Sequence, residues 1–185
     1  MLKLTVKSPA RLPDGMTSRT LSLAAAQGVQ VSVVRHLRRR HSTASRRAGF
    51  PQSGYWLDAA ASTTTAPAGD AAEVTVEKEG VALHYYGGTV YPVKGKALAI
   101  PIDPSVAGEN PRGLNGISDT LALLWPKNSN HGFLKDKDTS ELLYLLVGAT
   151  HHKADRSVLP EDGEMVAEAE SAMANAIMAM EDAGK

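Results

Sequence analysis

The chain has no cysteine. Disulfides, thiolate catalysis and cysteine-ligated zinc are therefore excluded, and the composition fits a protein assembled in a reducing cytoplasm. No apolar run approaches the roughly eighteen residues of a membrane span, and the first residues lack a signal-peptide pattern, so a soluble protein made inside a cell is expected. The common catalytic signatures are missing too: there is no Gly-x-Ser-x-Gly, no His-Glu-x-x-His, and no pair of acids in an apolar context suited to acid–base work. The stretch from Gly88 to Lys96 superficially looks like a phosphate loop, but its glycines are wrongly spaced and no Ser or Thr follows the lysine. His151 and His152 lie near Asp155, yet adjacent residues of a strand point to opposite faces and do not readily share one ion. No enzyme activity, cofactor or metal site is expected.

Acidic residues are also missing from one long stretch. Between Asp14 and Asp58 there is none, while Arg19, Arg35, Arg38, Arg39, Arg40, Arg46 and Arg47 fall inside that gap. The whole chain is nevertheless balanced, with 20 basic and 20 acidic residues, so bulk charge predicts no general affinity for nucleic acid or membrane. The segment after Lys153 is acidic. At 185 residues the chain fits one domain, spanning 1–185, with enough length to bury a core.

Leu2 to Lys7 alternates apolar and polar side chains as a half-buried strand does, and Pro9 and Pro13 end it. A helix follows from a Thr17 or Ser18 cap, with Leu21, Ala25, Gly28, Val31, Val34 and Leu37 recurring along one face. Gly28 and the valines lower its intrinsic propensity, so packing must hold it. The arginines begin where cations complement the helix dipole, a role that accounts for about two of them. Arg38, Arg39, Arg40, Arg46 and Arg47 are expected on a mobile basic loop. Exposed loops are predicted at about 41–54 and 103–118, and a short helix at 55–62 with Tyr55, Trp56 and Ala59 or Ala60 towards the core. Residues 62–70 read as a solvated turn, and Val74, Val76, Val81 and Leu83 as strands on either side of a Glu79-Gly80 turn.

The run from Val81 to Ile102 reads as a meander of three strands, the first turn at Gly87-Gly88, with Pro92 and Pro101 at strand ends. Further strands are expected at 121–125, 131–134 and 142–150. After Pro160, the residues Met165, Val166, Ala169, Ala172, Met173, Ala176, Ile177 and Met180 form an apolar stripe at helical spacing, with Glu161, Asp162 and Glu164 at the helix N-terminus. The fold expected is α+β: a mostly antiparallel sheet with the long N-terminal helix and the C-terminal helix packed on it.

The order Gly87, Gly88, Val90, Pro92, Lys94, Lys96, Leu98, Ala99, Ile100, Pro101 resembles the core signature of the phage virion morphogenesis proteins, the tail-completion and head–tail joining proteins of long-tailed, Mu-like bacteriophages. The strand at 142–147, the run His151 to Pro160 and the terminal amphipathic helix also resemble that family's C-terminal end. The resemblance implies a non-catalytic neck or tail-top structural protein. It would form a ring, of six by analogy with the tail below, with other neck and tail proteins as partners and no membrane. It would reside in the virion, and in the host cytoplasm during assembly. Arg35, Arg38, Arg39, Arg40, Arg46 and Arg47 are candidates for an interface or for a surface facing DNA in the channel. The acidic helix at 161–182 could meet them either across a subunit boundary or within one subunit. A second class needs no resemblance: a small nucleic-acid-binding protein that uses the arginines at 35–47 on phosphates.

Overall fold

The computed structural model describes residues 1–7, 17–43, 49–93, 95–111 and 120–183. The class is α+β, and every strand pairing is antiparallel. The strands are distributed over three sheets rather than one. Within the span treated above as one domain, two compact units are distinguishable, the first of Met1–Ala44, Ser53–Gly87 and Ala154–Lys185, the second of Ser45–Gln52 and Gly88–Lys153.

In the first unit, β1 (Leu2–Lys7), β2 (Thr63–Ala68) and β3 (Ala71–Val76) form a sheet in the order β1-β3-β2. Period-two alternation puts Leu2, Ala72, Val74 and Val76 on its buried face. Helix α1 (Ser18–Thr43) lies across that face. Thr17 Oγ1 accepts from the Thr20 amide at 3.2 Å, satisfying one of the orphan N–H groups of the first turn as the sequence predicts. Two polar residues of α1 are bonded to the β2–β3 hairpin: Ser22 Oγ donates to Asp70 O at 2.7 Å, and Gln30 Nε2 to Thr63 O at 2.8 Å. Burial without these bonds would cost about 1–3 kcal/mol per group.

The buried face of α1 carries Leu21, Ala25, Ala26, Gly28, Val29, Val33 and Leu37, which corrects the expected stripe. Val31 is 55% exposed, because α1 is covered on two sides, by the sheet and by a second helix, and the intervening face looks to solvent. That second helix is α4 (Asp162–Ala183), and it rests on α1 instead of on the sheet. Its inner side comprises Met165, Ala169, Ala172, Met173, Ala176 and Ile177, while Val166 and Met180 of the expected stripe are exposed. Helix α2 (Tyr55–Ala61) adds Ala59 and Ala60 to the core, with Tyr55 and Trp56 packed against it, as the sequence indicates.

Two segments depart from their expected form. The span read as a solvated turn is β2, an edge strand whose Pro67 removes no ladder bond that the sheet requires. Val81–Tyr86, read as the first strand of the meander, is helix α3. Gly80 precedes it in the left-handed region at φ 88°, and Gly87 follows at φ 75°. Gly87 is thus the helix stop of α3 and not half of a hairpin turn.

In the second unit β4 (Gly88–Val90) pairs with β9 (Thr150–His152). A four-stranded sheet has the order β5-β8-β7-β6, from β5 (Leu98–Pro101), β6 (Leu121–Leu124), β7 (His131–Asp136) and β8 (Leu142–Val147). The meander is therefore absent: β4 and β5 are neighbours in sequence but belong to different sheets. Of the long loop expected at 103–118, Pro104–Val106 forms a 3-10 turn capped by Asp103, whose carboxylate accepts from the Ser105 amide at 2.8 Å, and 112–119 lie outside the described residues. Tyr144 and Leu146 are buried on one face of the sheet, and Trp125 covers that face at Gly132, where a Cβ would stand 2.2 Å from the indole.

The Tyr144 hydroxyl is buried with no partner among the described residues, and burial pushes its pKa up. Tyr144→Phe removes an unpaid desolvation cost, so it is expected to raise the urea midpoint, by about 1 kcal/mol of stability. A loss of that size would show that the hydroxyl is bonded in solution.

Candidate functional site

The arginine cluster is the one feature of the sequence that exceeds local structural need, and the fold shows where it goes. Arg35, Arg38, Arg39 and Arg40 belong to the last turns of α1, not to a loop. The helix continues to Thr43 because the chain there is rich in good helix formers and the Ser42 and Thr43 hydroxyls donate back to Arg39 O, at 2.7 and 3.1 Å. Arg46 and Arg47 lie outside the described residues.

Three of these four arginines are engaged by acids of the same unit. Arg35 pairs with Glu168 and stands 3.7 Å from Glu164. Arg39 donates to Glu164 at 2.8 Å. Both pairs of residues are spaced by four along their helices, and their crossed order means that α1 and α4 run in opposite directions. The Glu168 hydrogen bond raises the Arg35 pKa further. These pairs are solvent-exposed, so they contribute little to stability and are weakened by salt.

Arg40 is held differently. Its side chain is 24% exposed, lies over the Trp56 ring at 4.7 Å, pairs with Asp155, and donates to the carbonyl and hydroxyl oxygens of Ser157, each at 3.0 Å. His36 Nε2 donates to the same carbonyl at 2.8 Å. The 3-10 turn Arg156–Val158 is thereby clamped to the end of α1, and Val158 enters the core beneath it.

Asp155, Ser157 and His36 are residue types that in another arrangement would form a charge-relay site. Here Ser157 Oγ donates straight to Asp155 Oδ1 at 2.6 Å, and the imidazole faces a backbone carbonyl instead of bridging the hydroxyl and the carboxylate. The geometry is that of a turn cap. Asp155 is held below the usual carboxylate range, first by the Ser157 hydroxyl and then by Arg40, against the opposing effect of burial. A carboxyl with a lowered folded pKa gives stability that is complete above its ordinary value near 3.8 and lost as pH falls through the folded value. Asp155→Asn is expected to flatten the acid limb of a stability–pH curve below about pH 4, while leaving Arg40 short of its counter-charge at neutral pH. An unchanged acid limb in the variant would contradict this placement.

A cleft of about 790 Å³ opens beside the clamp, lined by Leu4, His36, Arg39, Tyr85, Arg156 and Met165 among others. Arg156 covers Tyr85 at 4.3 Å. Its cations are already engaged by aromatic rings or carboxylates, which leaves no concentrated field for an anionic ligand. Arg38 makes no ion pair with the described residues and lines a shallow groove on the outer side of α1 with Val31 and Val34.

The motif residues around Gly88 do not converge on a site. Gly87 ends α3 and Gly88 opens β4; Pro92 and exposed Lys96 lie between β4 and β5, Lys94 falls outside the described residues, and Leu98, Ile100 and Pro101 form β5. Sequence reading named the acidic helix at 161–182 as a counterpart of the arginines, within one subunit or across a boundary, and the contacts of Glu164 and Glu168 are of the first kind; it missed Asp155, Ser157 and Trp56 as partners of Arg40. The signal for the helix pairs was present in the matching four-residue spacing of Arg35/Arg39 and Glu164/Glu168, which only becomes a contact once both helices are known to be neighbours. Among the described residues no group of three or more potential ligands could hold a metal ion, and no helix is long and apolar enough to cross a membrane. No family model, no curated protein and no solved structure matches the chain.

Proposed function

We propose that this chain is a structural assembly subunit, a neck or tail-completion protein of a tailed bacteriophage, acting as a ring of sixfold symmetry at the head–tail junction with other neck and tail proteins. The family resemblance of residues 87–101 motivates the reading. The observation that favours it over nucleic-acid binding is the engagement of Arg35, Arg39 and Arg40 by Glu168, Glu164 and Asp155. Phosphates would have to displace carboxylates already in contact at these three arginines, which therefore contribute little to a salt-dependent affinity for DNA. The same pairs bear on the origin of any subunit contact: Arg35 and Arg39 meet Glu164 and Glu168 within one subunit, and an interface is better drawn from other surfaces. Exposed apolar side chains at Tyr91 and Val93 are suited to that role.

The test is location and copy number in purified particles carrying a labelled subunit. Six copies around the axis at the junction are expected. Absence from particles, or a single copy off the axis, overturns the reading, and retention of duplex DNA by the free protein at physiological salt would favour the binding module instead.

A further inference from the structure

The four-stranded sheet of the second unit has two outer edges, and they are built differently. Ile102 N donates to Leu143 O at 2.8 Å, so by antiparallel alternation Pro101 faces away from β8, where it offers no N–H. Proline at such a position blunts an edge against further strands. On the opposite edge, Lys137 N donates to Thr120 O at 2.8 Å. The same alternation turns Ala122 and Leu124 towards β7 and leaves the backbone groups of Leu121 and Leu123 pointing outwards. Among the described residues no strand pairs with that side of β6. It carries neither proline nor charge, and the side chains there are exposed: Leu123 at 65%, Leu124 at 43% and Trp125 at 46%. One edge is thus guarded and the other is not.

We propose that the outer edge of β6 pairs with β6 of a second copy of this chain, antiparallel about a two-fold axis at Ala122. Placing Leu121 of each copy opposite Leu123 of the other forms four N–H···O=C bonds, because both residues present donor and acceptor outwards. The segment suits itself as a partner: Leu-Ala-Leu-Leu has no charge to repel its own copy, and both of its faces are apolar. Joining two edges extends the four-stranded sheet to eight and continues the half-buried face formed by Leu98, Ile100, Phe133, Leu145 and Val147 across the axis. A charged foreign strand would gain the same backbone bonds but lose this side-chain match, and a proline-bearing one would lose a donor as well. The inference concerns the free protein and does not depend on the assembly reading, whose test is copy number in the particle.

Sedimentation equilibrium of the full chain across 1–200 µM tests it. A concentration-dependent rise towards twice the chain mass is expected, with the amides of Leu121 and Leu123 gaining hydrogen-exchange protection as the protein is concentrated. Leu123→Lys places like charges near the axis on a side chain already in solvent, so the fold is retained, as checked by circular dichroism, and the dissociation constant should rise at least tenfold. A second variant, Leu123→Pro, deletes an outward N–H without removing a bond to β7, and should act in the same direction. A wild-type protein that stays monomeric at 200 µM, or a dimer unmoved by both substitutions, overturns the proposal.

Discussion

Gly28→Leu is expected to be among the most damaging single substitutions in the first unit, costing about 3 kcal/mol or more in denaturant unfolding. A Cβ at this position would stand 2.2 Å from Glu168 O and 2.9 Å from the Ala172 Cβ. The obstacle is backbone, which no rotamer change can clear, so α1 and α4 must separate along their shared seam. Overpacking a tight core typically costs about 1–3 kcal/mol, and a four-carbon side chain at a backbone contact belongs at or above the upper end. Gly28→Ala separates the two effects acting here. In an exposed helix it would stabilise by about 1 kcal/mol through propensity, whereas at this contact it is expected to destabilise. An alanine variant as stable as the wild type would show that the two helices are not in contact at Gly28.

The second large effect is Leu37→Ala, for which a loss of about 2–5 kcal/mol is expected. Leu37 is fully buried in the cluster that also holds Val33, Ala59, Ala60 and Val158. Its removal leaves a hole bounded by several elements whose positions are fixed by other contacts. Val31→Ala provides the contrast, because Val31 is exposed and its truncation should change stability by no more than about 0.5 kcal/mol. The periodicity of the sequence puts both residues on one face. Equal losses from the two truncations would restore that stripe and contradict the structure.

That contrast shows what could be read in advance. Helix α1, helix α2, helix α4, β1 and the strands β5 to β8 follow from alternation, spacing and caps. The face of α1 did not, because a helix buried on two sides carries apolar residues around most of its circumference, and a single 3.6-residue stripe is then only one of several that fit. Val81–Tyr86 failed for a different reason. Six residues with one β-branched side chain and two tyrosines suit a short strand or a buried helical turn equally, and the flanking Gly80 and Gly87, which settle the matter at positive φ, are also good turn residues. Strand β2 was hidden by its composition: Thr63–Ala68 has little apolar area of its own and is held by its ladder to β3. The arginines were legible as an anomaly in charge, but their counter-charges lie more than a hundred residues away, and only tertiary structure brings them together.

The seam between α1 and α4 also sets an order of events during synthesis. The end of α4 leaves the ribosome roughly 140 residues after the end of α1. At about 5–20 residues per second that interval is on the order of ten seconds, far longer than a helix needs to form. Throughout it, the groove at Gly28 that will receive α4 is open, while the sheet side of α1 can already close once β3 has emerged. The nascent chain therefore passes through a state with one face of its longest helix finished and the other, at Gly28, waiting for the last helix.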